Sequence, residues 1–379
     1  MRACLGFALT SLVRGDRVRL AVALVGALGA MFVVLLHLAF LRAVEHKAAQ
    51  LYALFDAPVV LVSDRYQFLY RMDGFPASRL KQALSQPEVA EVAAVRVDNM
   101  GWNAPGTGEE SSLLLIGIDP QASFVSDREL RAALGRLALP RQVLFDRRSN
   151  PDVGPLRMGL TGSIGSRPAT IAGFYDLGLP MYTAATAIVS NADFSHYTGR
   201  DPALVQLGLV RLKPGVDAAA AVTRLREALP NDVRVEMRAD LMEREARYFI
   251  EVKPLGIMIR AGLAIGLMVG AVALFQIMSS QIGARMHEFA VLRAMGFGRG
   301  FIYGVGAWQL AALAAAAFAA AWLAAIPLFE RIARVSTLVM PLDASLLLGA
   351  FALCLPMVLA AAAPLVRAGR ADPAVLFAQ

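Results

Sequence analysis

At 379 residues, 57% of them hydrophobic and with mean hydropathy +0.54, the chain is too apolar for an ordinary soluble enzyme. A net charge of +7 could suggest nucleic acid, yet the excess lies in three short segments: Arg2, Arg14, Arg17 and Arg19; Arg285, Arg293 and Arg299; Arg367 and Arg370. Only Asp16, Glu288 and Asp372 oppose them there, and the rest of the chain, Arg260 aside, balances its acids and bases, which argues against nucleic-acid binding.

In chain order, residues 1–19 are a basic N-terminus and 20–41 the first of four runs that meet the roughly 20 apolar residues a spanning helix needs. This run exceeds the roughly 7–15 residues of a secretory signal core and no A-x-A site follows it cleanly, so a retained anchor is predicted. Residues 42–254 form a large polar stretch, predicted to be an extracytoplasmic (periplasmic) domain. Its ends, RAVEHKAAQLYALF (Arg42 to Phe55) and ADLMEREARYFIEV (Ala239 to Val252), read as helical stalks continuous with the first and second spans. Inside it, FPASRLKQALSQPEVAEVAAVRV and LVRLKPGVDAAAAVTRLREALPNDVRVEM each read as helix then strand, and such units can share one small mixed sheet. Residues 111–198 between them, rich in strand-like runs, read as an inserted subdomain. The cysteines, Cys4 and Cys354, both lie outside this domain, which therefore folds without disulfides.

The remaining spans are 255–278, 301–328 and 344–366. A segment at 279–300 separates the second from the third, a short external loop at 329–343 the third from the fourth, and 367–379 is a tail. The three arginine-rich segments all fall on one side of such a bundle. The positive-inside rule then puts both termini and 279–300 in the cytosol and the large domain outside. The expected fold is α+β: four transmembrane helices with a large mixed α/β extracytoplasmic domain between the first and second, joined by helical stalks.

Catalytic chemistry finds no footing. No Gly-Lys pair occurs, so a P-loop is excluded, and Gly296-Phe-Gly298-Arg-Gly300 follows a helix and reads as its stop. His37, His46, His196 and His287 are too scattered for a metal site, and no G-x-S-x-G elbow appears. Glu109-Glu110 and the Glu243/Glu245 pair read as solvated faces. Arg260, near the outer end of its span, reads as snorkelling, and Gln276 and Gln309 as interhelical hydrogen-bonders. No catalytic, cofactor-binding or metal-ligating residue is predicted.

The segment RMHEFAVLRAMGFGRGF (Arg285 to Phe301) interrupts the oiliest part of the chain with charge. Ile282, Met286, Phe289 and Leu292 or Arg293 fall at helical spacing and make one apolar stripe. Gly296 and Gly298 stop the helix, with Arg293 in its last turn. Such a helix could lie on the lipid surface or dock in the groove of a partner.

The order of one span, a large outer domain and three spans, with HEFAVLRAMGF after the second, resembles the FtsX/MacB-like permeases of ABC transporters, and within them the DevC type. VGAVALFQIMSSQI (Val269 to Ile282), LLLIGIDP (Leu113 to Pro120), LPNDVRV (Leu229 to Val235) and ADPAVLF (Ala371 to Phe377) carry the likeness further. Relatives often have an acid where this chain has Gln309, so a role resting on that acid does not transfer. The resemblance implies a coupling helix seated on a separate P-loop ATPase through Arg285, Met286, Glu288, Phe289, Leu292 and Arg293, with Asp372 and Pro373 in the cytosolic tail. It also implies a homodimer in the inner membrane, ATP and magnesium bound by the partner, and mechanotransmission to the periplasmic domain. DevC-type members add a membrane-fusion adaptor and an outer-membrane channel. FtsX-type regulation of a cell-wall hydrolase and Lol-type lipoprotein release are the alternatives; the first usually has a much smaller outer domain.

Overall fold

The structure, a computed structural model, describes residues 17–106, 109–121, 123–178, 182–336, 340 and 342–366; Cys4, Asp372 and Pro373 lie outside the described residues. The chain divides into two compact units, Met1–Ala43 with Pro254–Gln379 and Val44–Lys253.

Helix α1 (Arg17–Ala53) is one uninterrupted helix of 37 residues. At 1.5 Å per residue it is about 55 Å long, well beyond a hydrocarbon core of about 30 Å. Its last turns belong to the α/β unit, where Leu51 and Tyr52 are buried.

The α/β unit is built on β1 (Val59–Ser63), α2 (Ser78–Leu84), β3 (Val89–Asn103), β10 (Leu207–Leu212), α5 (Ala218–Ala228) and β11 (Val233–Met237). The strands run in the order β11-β1-β10-β3, antiparallel throughout: the split βαββαβ arrangement. The two helix–strand units read from the sequence do share this sheet; these four strands are antiparallel, and the strands that extend it add parallel pairs, so the sheet as a whole is mixed. Strand β1 (VVLVS) is buried on both faces, and the period-2 alternation of its side chains sorts them. Val59 and Leu61 pack with Leu80 of α2 and Leu225 of α5. Val60 and Val62 pack with Leu51 and Tyr52 of α1 and Leu241 of α6 (Arg238–Glu251).

Residues 111–198 extend this sheet. β3 is 15 residues long; it pairs with β10 up to Val95 and from Arg96 onward with β4 (Glu110–Ile118). Strands β8 (Ala185–Ser190), β5 (Gln142–Asp146), β7 (Arg167–Tyr175) and β6 (Thr161–Ile164) follow, and β6 returns to β3 through the pair Trp102↔Ile164. Six strands thus close into a ring around Trp102 and Phe145, whose ring centroids lie 4.7 Å apart. A two-residue pair, β2 (Phe75–Pro76) with β9 (Leu204–Val205), and the helices α3 (Arg128–Leu134) and α4 (Asn191–Thr198) complete the unit.

The other unit holds α1 up to Ala43, α7 (Pro254–Ala284), α8 (Met286–Ala294), α9 (Arg299–Ser336) and α10 (Ala344–Ala361). Four of these helices, α1, α7, α9 and α10, are long and apolar enough to cross a membrane. Expected boundaries shift at three places. The stalk from Ala239 does not run unbroken into the second span: α6 stops at Glu251 and α7 starts at Pro254. Proline lacks the amide hydrogen a continuing helix needs and disfavours helical geometry at the preceding Lys253. Helix α7 persists to Ala284, past the expected end at 278. Helix α9 persists to Ser336, which shortens the expected 329–343 loop, because Glu330 and Arg331 add charge without breaking the backbone ladder. Close helix packing comes from Gly262, Gly266 and Gly270, one per turn along α7. A Cβ on Gly266 would sit 2.9 Å from the Val33 side chain of α1, and one on Gly270 would sit 3.1 Å from Ala30. Small residues at this spacing let two helix backbones approach where side chains would hold them apart.

Candidate functional site

Helix α8 is the charged interruption. Arg285, with φ −112° and ψ 12°, leaves the α7 geometry while its amide still donates to the Ile282 carbonyl at 3.1 Å, and its carbonyl accepts from the Phe289 amide at 3.1 Å to start α8. The helix ends at Gly296 with φ +93°, where the Gly296 amide bonds the Arg293 carbonyl at 3.0 Å and the Phe297 amide the Leu292 carbonyl at 3.1 Å. This pair of bonds is a Schellman closure, and its left-handed residue favours glycine. Arg293 lies in the last turn and Glu288 in the first, the arrangement the helix dipole prefers at both ends.

The apolar stripe is covered within the chain itself. Phe289 is 3% exposed and Leu292 8%, and both join Ile282 and Met278 of α7 and Ile302 of α9 in the bundle core, with Met286 packed at the edge. Phe289 and Leu292, expected as contacts to another subunit, therefore face inward: burying them against the bundle removes their apolar surface from water without any partner. The residues left outward are different. Glu288 and His287 are exposed, and so are the apolar Val291, Met295 (62% exposed) and Phe297, with Arg299 following in the chain. Phe297 packs against Phe301 with ring centroids 4.6 Å apart and the rings tilted by 33°. Exposed apolar residues among charged ones are the composition of a protein interface. Val291, Met295 and Phe297 were missed by the sequence reading, although 288, 291 and 295 share helical spacing on the side opposite the stripe. Arg285 and Arg293 are half-buried and already engaged in interactions.

Elsewhere, Gln309 is buried and Gln276 and Arg260 are exposed. The Glu243/Glu245 pair divides. Glu243 is exposed and pairs with Arg247 at 2.6 Å, whereas Glu245, expected to be solvated, is 1% exposed, because the segment after β1 folds over it.

Residues 260–373 match the family model described as the C-terminal part of FtsX-like permeases. That stretch contains most of α7, all of α8 and the two following helices. No curated protein matches the chain. Among solved structures, the periplasmic region of MacB from Actinobacillus actinomycetemcomitans is similar at 11% identity, covering 48% of this chain and 89% of that one, with a TM-score of 0.35. The extracellular domain of the noncanonic ABC-type transporter YknZ from Gram-positive bacteria is similar at 14% identity, covering 47% and 98%, with a TM-score of 0.32.

Proposed function

We propose that this chain is the non-catalytic membrane subunit of an ABC-type exporter, a permease of the FtsX/MacB-like kind and of the DevC type within it. The observation that carries this reading is the family match over 260–373, which takes in α8 and its outward face. In this reading Glu288, Val291, Met295 and Phe297 seat on a separate P-loop ATPase, which binds ATP and magnesium. Two copies of the chain work with two ATPases. The α/β unit lies in the periplasm, both termini lie in the cytosol, and closure of the ATPases moves the spans and, through the helical stalks, the periplasmic unit. A membrane-fusion adaptor and an outer-membrane channel complete the path for cargo.

Substitution on the outward face separates this reading from a merely structural α8. Glu288→Lys and Met295→Asp in the full chain are expected to lower recovery of the co-expressed ATPase at least severalfold with no loss of expression or thermal stability. Wild-type recovery with both variants would count against the proposal.

A further inference from the structure

Glu245 is a buried carboxylate on α6 at the centre of a chain of hydrogen bonds that crosses three pieces of structure. Its Oε2 accepts from the Tyr66 hydroxyl at 2.5 Å and its Oε1 from the Leu69 amide at 2.6 Å, both in the segment following β1. The Tyr66 hydroxyl lies 2.5 Å from the Tyr52 hydroxyl, on the last turn of α1. A second tie runs beside the first: the Arg238 guanidinium, at the start of α6, donates to the Phe55 carbonyl at 2.5 Å and the Tyr52 carbonyl at 3.4 Å, capping the end of α1. Thus α6 holds the end of α1 through a fixed cation and through a group that can gain or lose a proton.

Charged and titratable groups around Glu245 come from each element packed there, including β11, whose Arg234 donates to the Tyr66 carbonyl at 2.8 Å. From α1 there is Tyr52, and from the segment after β1 there are Tyr66 and, near Tyr52, Tyr70. From α6 itself comes Arg244, whose guanidinium lies 5.1 Å from the Tyr66 ring centre and pairs with Glu236 of β11 at 3.0 Å. Burial is the largest influence on Glu245 and lifts its carboxyl from 4.5 to about 7, against the opposing pull of the Tyr66 and Leu69 hydrogen bonds and the Arg244 charge. Burial also pushes both Tyr52 and Tyr66 well above the ordinary tyrosine range, so they stay neutral donors and acceptors.

Two proton arrangements fit the same atoms. With Glu245 ionised, Tyr66 donates to it and Tyr52 donates to Tyr66. With Glu245 protonated, the carboxyl hydrogen points to the Tyr66 oxygen, Tyr66 donates to Tyr52, and Oε1 keeps the Leu69 amide. Both arrangements keep every link; the neutral one places no charge in the core, whereas the ionised one carries the cost of desolvating a carboxylate, and that cost is what loosens the contact.

We infer that Glu245 is a proton-responsive latch between the end of α1 and α6, closed when Glu245 carries a proton and loosened when it ionises. The latch would be a positioning device for the two helices that link the α/β unit to the spans. It stands independently of which ATPase or adaptor the chain meets. The sign follows from linkage. The native state holds this proton more tightly than the unfolded chain, so the stabilisation is complete below about pH 4.5 and is lost as pH rises to about 7.

The test is amide hydrogen exchange on the full chain in lipid nanodiscs at pH 6 and pH 8, corrected for intrinsic exchange chemistry and read on peptides covering Tyr66–Met72 and Leu241–Glu251. Opening of these segments is expected to rise about tenfold from pH 6 to pH 8 in the wild type. In Glu245→Gln, whose amide reproduces the protonated pattern, the rise is expected to vanish. Equal opening at the two pH values in the wild type, or the same rise in Glu245→Gln, overturns the latch. Should Glu245→Gln fold poorly, Tyr66→Phe serves instead. It removes the hydroxyl link to α1, so opening of the 241–251 peptide at pH 6 should exceed that of the wild type, and unchanged opening there overturns the link.

Discussion

Phe289 and Met295 lie six positions apart, one within α8 and the other at its C-cap, and are asked for opposite things. Phe289 sits in the bundle core, and its truncation to alanine is expected to cost about 3–5 kcal/mol, seen as a lowered thermal midpoint of the detergent-solubilised chain. Met295→Asp, on the exposed side, is expected to change stability by no more than about 0.5 kcal/mol in the same measurement. Hydrophobic spacing in the sequence showed that one face of α8 is buried. It could not show what covers that face, because the covering residues, Met278 and Ile302, belong to helices whose packing is set in three dimensions. The same holds for Glu245: acids on an amphipathic helix are usually solvated. The contact that buries this one joins residues 179 apart in sequence, beyond the reach of any local pattern.

At the scale of elements, the helices and strands were largely legible, because hydrophobic period and turn residues act locally. The ring was not, since its closure depends on the non-local pairing of β3 with β6, Trp102 with Ile164 and Asn103 with Ser163. The break between α6 and α7 had a local signal in Pro254, which the sequence reading did not use. Two elements invite direct tests. Gly266→Leu should prise α1 and α7 apart, since even a Cβ there meets Val33 at 2.9 Å, and the variant is expected to melt at a lower temperature in nanodiscs. Gly296→Ala should cost about 1 kcal/mol at a left-handed position, and amide exchange should rise for the Leu292–Phe297 segment before it rises elsewhere. The two connections also differ: α1 is one continuous helix, whereas the second is broken between Glu251 and Pro254.

For the whole molecule, four helices of spanning length, a βαββαβ sheet extended by a six-stranded ring, and a short helix between two of the long helices are the parts on which the proposed permease role rests. The central claim is that the force enters at α8 from a separate ATPase. The most direct test is affinity purification of the tagged full chain from gently solubilised native membranes, with its partners identified by mass spectrometry. The account predicts a P-loop ATPase in stoichiometric amount, together with a periplasmic adaptor, and loss of the ATPase alone when Met295→Asp is carried through the same procedure. Recovery of the chain intact and folded with no ATPase bound would contradict it.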